Sequence, residues 1–134
     1  MDLTSSIDDY APLIGRVIMG YIFLSSAINK ALTFSYTVEQ VSANAPYPVA
    51  FTILAIVIGV IFGVGLITGF KTKASATVLL LFTAIIAFFF HTAADEQGLF
   101  TQDLIIMAGL LYMMTFGSGQ FAADTKVKKK ANLR

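Results

Sequence analysis

Cysteine is absent from this chain of 134 residues. That absence excludes disulfides, thiolate-ligated iron–sulfur or zinc centres and a thiol nucleophile, so any redox chemistry needs a borrowed cofactor or a partner subunit. Charge is scarce as well: Asp, Glu, Lys and Arg together make up 13% of the residues, about half the share in a typical soluble chain. With a single histidine, one copy of the chain cannot supply bis-histidine haem ligation. The opening residues Met1 to Tyr10 carry Asp2, Asp8 and Asp9 but no lysine or arginine, whereas a secretory signal opens on a basic segment. The first apolar run is therefore expected to be a retained helix. No P-loop, dinucleotide fingerprint, nucleophile elbow or Ser/His/Asp arrangement occurs. Nor does a basic, aromatic-interleaved surface point to nucleic acid.

What the chain has in abundance is apolar sequence. Hydrophobic residues reach 57%, and the mean hydropathy of +0.79 excludes a water-facing globule at this length. From Gly59 to His91 two apolar runs flank the turn Gly69-Phe70-Lys71-Thr72-Lys73. No charge lies between Glu39 and Lys71, or between Lys73 and Asp95. Each arm can cross about 30 Å of hydrocarbon without stranding a charge, which predicts a membrane hairpin.

The expected fold is an all-α membrane protein: an up-down bundle of four transmembrane helices over residues 1–123, followed by a basic tail, 124–134. Helices are predicted at about 11–32, with Pro12 in the opening turn, at 49–70, at 73–91 and at 102–116. The last is the shortest, which predicts a tilted or thinned fit. Between the first two, Thr33 to Pro48 is too polar to span and reads as a short interfacial helix or lid ended by Pro46 and Pro48. Small residues mark the expected packing faces: Gly20 with Ser26 and Ala27 in the first helix, Gly59, Gly63, Gly65 and Gly69 in the second, and Gly109 in the fourth. Small-xxx-small spacing lets backbones approach closely in lipid, within the bundle or, as the alternative, along a homodimer seam.

Four spans put both termini on one face, and the basic residues indicate which. Arg16, Lys71, Lys73, Lys126, Lys128, Lys129, Lys130 and Arg134 fall on the terminal side, and Lys30 alone on the other. This bias predicts cytoplasmic termini. The tail is expected to be disordered and drawn to anionic lipid.

Few side chains are candidates for chemistry. Arg16 and Lys30, both in the first helix, are fourteen positions apart, within roughly 40° of one stripe at 100° per residue. Each reads either as an interfacial anchor or as an interior cation facing a quinone head or lipid phosphate. His91 and Asp95 would meet at i, i+4 if their helix continued, as a weak divalent-metal or proton-passing pair. Met107, Met113 and Met114 read as packing.

Together these pieces resemble the DoxX/DoxD family of small four-helix membrane proteins. The opening helix is similar to its R-x-x-x-G-x-x-F pattern and following lysine, here Arg16, Gly20, Phe23 and Lys30. The second resembles its glycine-rich span and G-x-x-T-R/K turn, here Gly63, Gly69, Thr72 and Lys73. The close resembles G-x-G-x-x-S-x-D, here Gly117, Gly119 and Asp124, with Ala122 in the serine position. The family pattern often puts an acid in the second helix, and residues 50–70 contain none, so an ion pair for Arg16 is not expected there. The resemblance implies association with redox systems: an accessory subunit of a membrane electron-transfer or oxygenase complex in a prokaryotic cytoplasmic membrane. Such a subunit has membrane lipids and other membrane subunits as partners, no intrinsic cofactor, and a quinone or bound lipid as the expected ligand. Two other readings stay open. One is a quinone-interacting catalytic subunit of a thiosulfate:quinone oxidoreductase-like enzyme. The other is a stand-alone small-molecule transporter, disfavoured by the scarcity of intramembrane charge and the lack of an inverted repeat.

Overall fold

A computed structural model of the chain describes residues 3–92, 94–117, 119 and 129–132. The chain forms α1 (Leu3–Leu32), α2 (Phe34–Ser42), α3 (Pro48–Thr68), α4 (Thr72–Phe90) and α5 (Gln97–Phe116), with a 3-10 turn at Ala94–Glu96 before α5. Among the described residues, α1, α3, α4 and α5 are long and apolar enough to cross a membrane, and no strand occurs.

The first spanning helix begins at Leu3, not near Ala11, and Pro12 lies inside it. A proline in that place forfeits only the bond to the carbonyl of Asp8. Asp8 is exposed at the polar end, where water can replace the lost donor. At 1.5 Å per residue, the 30 residues of α1 measure about 45 Å, longer than the hydrocarbon, so its acidic opening projects beyond it. The segment between the first two spans folds as α2, a helix of 9 residues without a buried side chain, and it packs chiefly on α3.

Thr33 both closes α1 and opens α2. Its amide donates to the Asn29 carbonyl at 3.0 Å, and its own carbonyl accepts from the Thr37 amide at 2.9 Å. Pro48 then takes the first turn of α3, where a missing amide proton costs nothing.

The α3–α4 turn follows the expected chemistry. Gly69 adopts a left-handed conformation, φ 74°, as the C-cap of α3, and the Phe70 amide returns to the Gly65 carbonyl at 3.0 Å. That is the 6→1 bond of a Schellman close. Gly65 faces Ser75 of α4: a β-carbon there would stand 2.6 Å from Ser75 Oγ. The second glycine pair of α3 therefore shapes the hairpin, while the first, Gly59 and Gly63, meets α1.

At that crossing Gly20, Phe23, Leu24 and Ala27 approach the α3 backbone closely. The packing is accordingly two antiparallel pairs, α1 with α3 and α4 with α5, joined by α3 against α4. Leu66, Ala76, Leu79, Ile106 and Leu110 form the buried core, with Met113 and Met114 packed against it. An aromatic stack, Phe82–Phe51–Phe90, ties α3 to α4 toward the α2 side, with ring centroids 6.0 and 5.1 Å apart.

Helix α5 starts at Gln97 rather than near residue 102. With 20 residues against 19 in α4, it is not the shortest span, and about 30 Å of helix needs no thinning of the bilayer. Phe100, which precedes the helix expected over 102–116, packs edge-on against Phe88 with centroids 5.7 Å apart, and this contact draws the first turns of α5 onto α4. Residues 129–132 of the tail, expected to be disordered, are helical, as a Lys/Ala-rich composition allows. Asp2, Ala122, Asp124, Lys126, Lys128 and Arg134 lie outside the described residues.

Candidate functional site

The first sequence candidate to be placed is Arg16, and it has a structural partner. Its residue is 1% exposed, and Nη1 donates to the carbonyl oxygens of Leu66 at 3.1 Å and Ile67 at 3.4 Å. Those carbonyls belong to the last turn of α3, where the dipole favours positive charge, and the Leu66 oxygen also accepts the Gly69 amide in a longer bond of 3.3 Å. Arg16 thus caps α3 from the neighbouring helix. Arg16 also borders a cavity of 330 Å³ at the terminal side, beside Pro12, Tyr112 and Gly117.

Lys30 and His91 lie at the other end of the bundle, and there the structure brings them together. Both line a cavity of 560 Å³ enclosed by α1, α3, α4 and α5. Its rim is polar, with Ser26, Asn29 and Lys30 from α1, His91 after α4, and Gln102 and Asp103 from α5. Its walls are apolar, including Phe23, Ala55, Phe82, Ile86 and Ile106. Lys30 Nζ donates to Ser26 Oγ at 2.9 Å, one turn back on α1. An ammonium has three donors, so this bond leaves capacity toward the cavity.

His91 does not meet Asp95. Helix α4 stops at Phe90, and His91 is its C-cap with φ −112°, so the i, i+4 relation required for that pair is never formed. Instead His91 Nδ1 and Asp103 Oδ2 are 2.5 Å apart. Their side chains are 23% and 14% exposed, placing the pair partly out of water, where a charge-assisted hydrogen bond gains strength. Among the described residues no group of three His, Cys, Asp or Glu side chains is placed to hold a metal ion. The Lys30 ammonium lining the same cavity also opposes a bound cation.

A second cavity of 400 Å³ adjoins the first and shares Lys30, Ala55, Ile86, His91 and Leu99 with it. Its roof is α2, through Thr37, Gln40 and Val41, and its wall includes Phe51 and Phe90. The short helix therefore lies over the second cavity, next to the Lys30 and His91 part of the first.

Three residues of the site were not singled out from sequence. Asp103 falls at the very start of a helix over 102–116, but with α5 beginning at Gln97 it stands nearly two turns inside. Ser26 was grouped with the small packing residues, but it accepts from Lys30. Thr83, 4% exposed, lines the deep end. Its hydroxyl carries no periodic signal in an apolar run.

The sequence comparisons agree with this architecture. A protein of Escherichia coli strain K12 described as inner membrane protein YqjF is 29% identical over 129 residues, covering 92% of this chain and 97% of that protein. No solved structure matches the chain. The sequence model of the family described as DoxX matches residues 11–92, from the middle of α1 through His91, and this integral membrane protein belongs to the DoxX family.

Proposed function

We propose that this chain is an accessory subunit of a larger membrane redox complex, and that the cavity between α1, α3, α4 and α5 receives an amphipathic molecule, a quinone or a lipid. The observation that carries this reading is the cavity itself: a polar rim of Lys30, His91, Gln102 and Asp103 over apolar walls. Pockets of several hundred Å³ with few convergent polar groups are the usual form of small-molecule sites. A rim that pairs a cation with a His–Asp couple suits a head bearing oxygen acceptors and donors, and the walls suit its apolar part. The reading assigns the chain binding and packing rather than bond-making.

The relative's designation as an inner membrane protein supports the same setting for this chain. The surplus of Arg and Lys on the terminal side favours cytoplasmic termini, which directs the cavity and α2 to the opposite face.

Purification from native membranes in a mild detergent, with mass spectrometry of the accompanying proteins, tests the subunit reading. Stoichiometric recovery with flavin-, haem- or metal-bearing subunits is the expected result. Recovery of the chain alone, turning over a quinone, would make it an enzyme in its own right. Recovery alone with solute flux into liposomes would make it a transporter.

A further inference from the structure

We infer that the cavity opens sideways into the bilayer, through the half of the α1–α5 seam that lies toward α2, and takes its ligand from the hydrocarbon. This rests on the cavity being a ligand site. It adds the entry route and, with it, a class of ligand: a molecule dissolved in the membrane.

Of the four neighbouring pairs of spanning helices, α1 and α5 meet least. Their close approaches lie on the terminal side of the seam. Met113 Cε is 3.8 Å from where a β-carbon on Gly15 would stand, and Met19 Cε is 2.6 Å from the corresponding point on Gly109. These rungs fix an antiparallel register, in which the next turns toward α2 set Ile22 against Ile106 and Ser26 against Gln102. At those turns the seam holds the cavity, for all four residues line it.

The splay has a cause on each side. Ala27 draws α1 onto α3, its Cβ 2.8 Å from a β-carbon position on Gly59. Across the slot, the Phe88–Phe100 contact and the His91–Asp103 bond hold the start of α5 on α4. Both helices are thus committed to other neighbours where the cavity lies between them.

Exposure identifies the open wall. The lining residues Ala55 of α3 and Phe82 of α4 are 5% and 8% exposed. Ser26 and Asn29 of α1 and Leu99 and Gln102 of α5 line the same space and are exposed. The cavity is therefore closed by α3 and α4 and open between α1 and α5. Gln102 and Ile106 stand five and nine residues beyond Gln97, about 8 and 14 Å into the span at 1.5 Å per residue. The slot thus runs from the interface to the middle of about 30 Å of hydrocarbon. A strongly polar solute would have to shed its water to take that path, whereas an amphipathic molecule keeps its head at the polar rim while its apolar part swings in from the lipid.

The chain contains neither tryptophan nor cysteine, so introduced copies of either report without background. Phe82→Trp puts a fluorophore on the α4 wall of the cavity. Leu81→Trp puts one at the same depth on the outside of α4, where Leu81 is 61% exposed. The full chain in liposomes is then challenged with a phospholipid brominated at mid-chain, which quenches by contact from the hydrocarbon, or with iodide in the water. Both reporters are expected to lose fluorescence to the brominated lipid, and neither to iodide. A bis-maleimide bridge between Ser26→Cys and Gln102→Cys should restore the emission of Phe82→Trp and leave Leu81→Trp quenched. Phe23→Trp, on the α1 wall, replaces the first reporter with the same expected readings if Phe82→Trp loses helical content. Quenching of the cavity reporter by iodide, by neither agent, or by brominated lipid with the bridge in place overturns the route. None of those results bears on occupancy, which a bound species in native mass spectrometry of the same chain reports separately.

Discussion

Arg16→Leu lowers the stability of the bundle by roughly 2–4 kcal/mol, measured by thermal or denaturant unfolding in micelles. Replacing a buried ionic pair by apolar residues is often harmless, because both charges leave together. Arg16 is a different case. Its acceptors are the Leu66 and Ile67 carbonyls, which remain after the substitution, and Leu66 is fully buried. A leucine offers them no donor, and the Gly69 amide, 3.3 Å from the Leu66 oxygen, serves one of the two. Arg16→Lys keeps the charge but loses the planar fork, so an intermediate loss is expected. Lys30→Met makes the useful contrast. Lys30 is only partly buried and bonds to Ser26 on its own helix, so its removal should cost less than about 1 kcal/mol. Equal stability of Arg16→Leu and the wild type would show that Arg16 does not cap α3.

Gly20→Ala separates α1 from α3 at a cost of about 2–3 kcal/mol or more. A β-carbon at residue 20 would stand 2.6 Å from the Gly63 carbonyl oxygen and 3.1 Å from the Ile67 amide nitrogen. The Ile67 Cγ1 would also stand at 2.6 Å, but the two backbone obstacles lie in the last two turns of α3, a helix that cannot shift locally. Gly63→Ala meets the Gly20 oxygen at 3.1 Å and the Leu24 nitrogen at 3.2 Å, so a smaller loss is expected. Gly109→Ala offers the decisive comparison. Its β-carbon would also meet an atom at 2.6 Å, but that atom is the Cε of Met19, the free end of a pliant side chain. It should be nearly neutral, as should Gly98→Ala, which has nothing within 4 Å. The series thus separates backbone contact from mere proximity. If Gly109→Ala and Gly20→Ala were equally damaging, close approach of α1 and α3 would not be what Gly20 provides.

These two results bear on what could be read from the chain before its fold was known. The four spans and the short helix between the first two were legible because lipid imposes a single demand, an uninterrupted apolar run long enough to cross. The crossing of α1 on α3 was foreshadowed by Gly20, Gly59 and Gly63, since only small residues admit such contact. Helix ends were less legible. Pro12 looked like an opening residue, although a helix can carry proline where water replaces the missing bond. The extra turns of α5 depend on Phe100 reaching Phe88, a contact that follows from the packing of two helices and leaves no local mark.

The site shows the same division. Lys30 and His91 stood out as rare polar residues at the edge of apolar runs, and the fold places them around one cavity. Arg16 stood out for the same reason but serves α3 at the opposite end. Rarity reveals that a polar group must be satisfied, while the partner that satisfies it is set by the tertiary arrangement. The pairing of His91 with Asp103 spans a chain reversal and could not follow from spacing.

The cavity between α1, α3, α4 and α5 is proposed to hold a small molecule in the membrane. The most direct test is native mass spectrometry of the chain released from its own membranes, comparing the wild type with Ala55→Phe. Ala55 lines both adjoining cavities and is 5% exposed, so a phenyl ring there occupies the ligand's space. The account predicts a discrete bound species on the wild type that is absent from Ala55→Phe, with helical content and melting retained in both. A wild-type chain that carries no bound molecule, or the same bound species on both proteins, would contradict it.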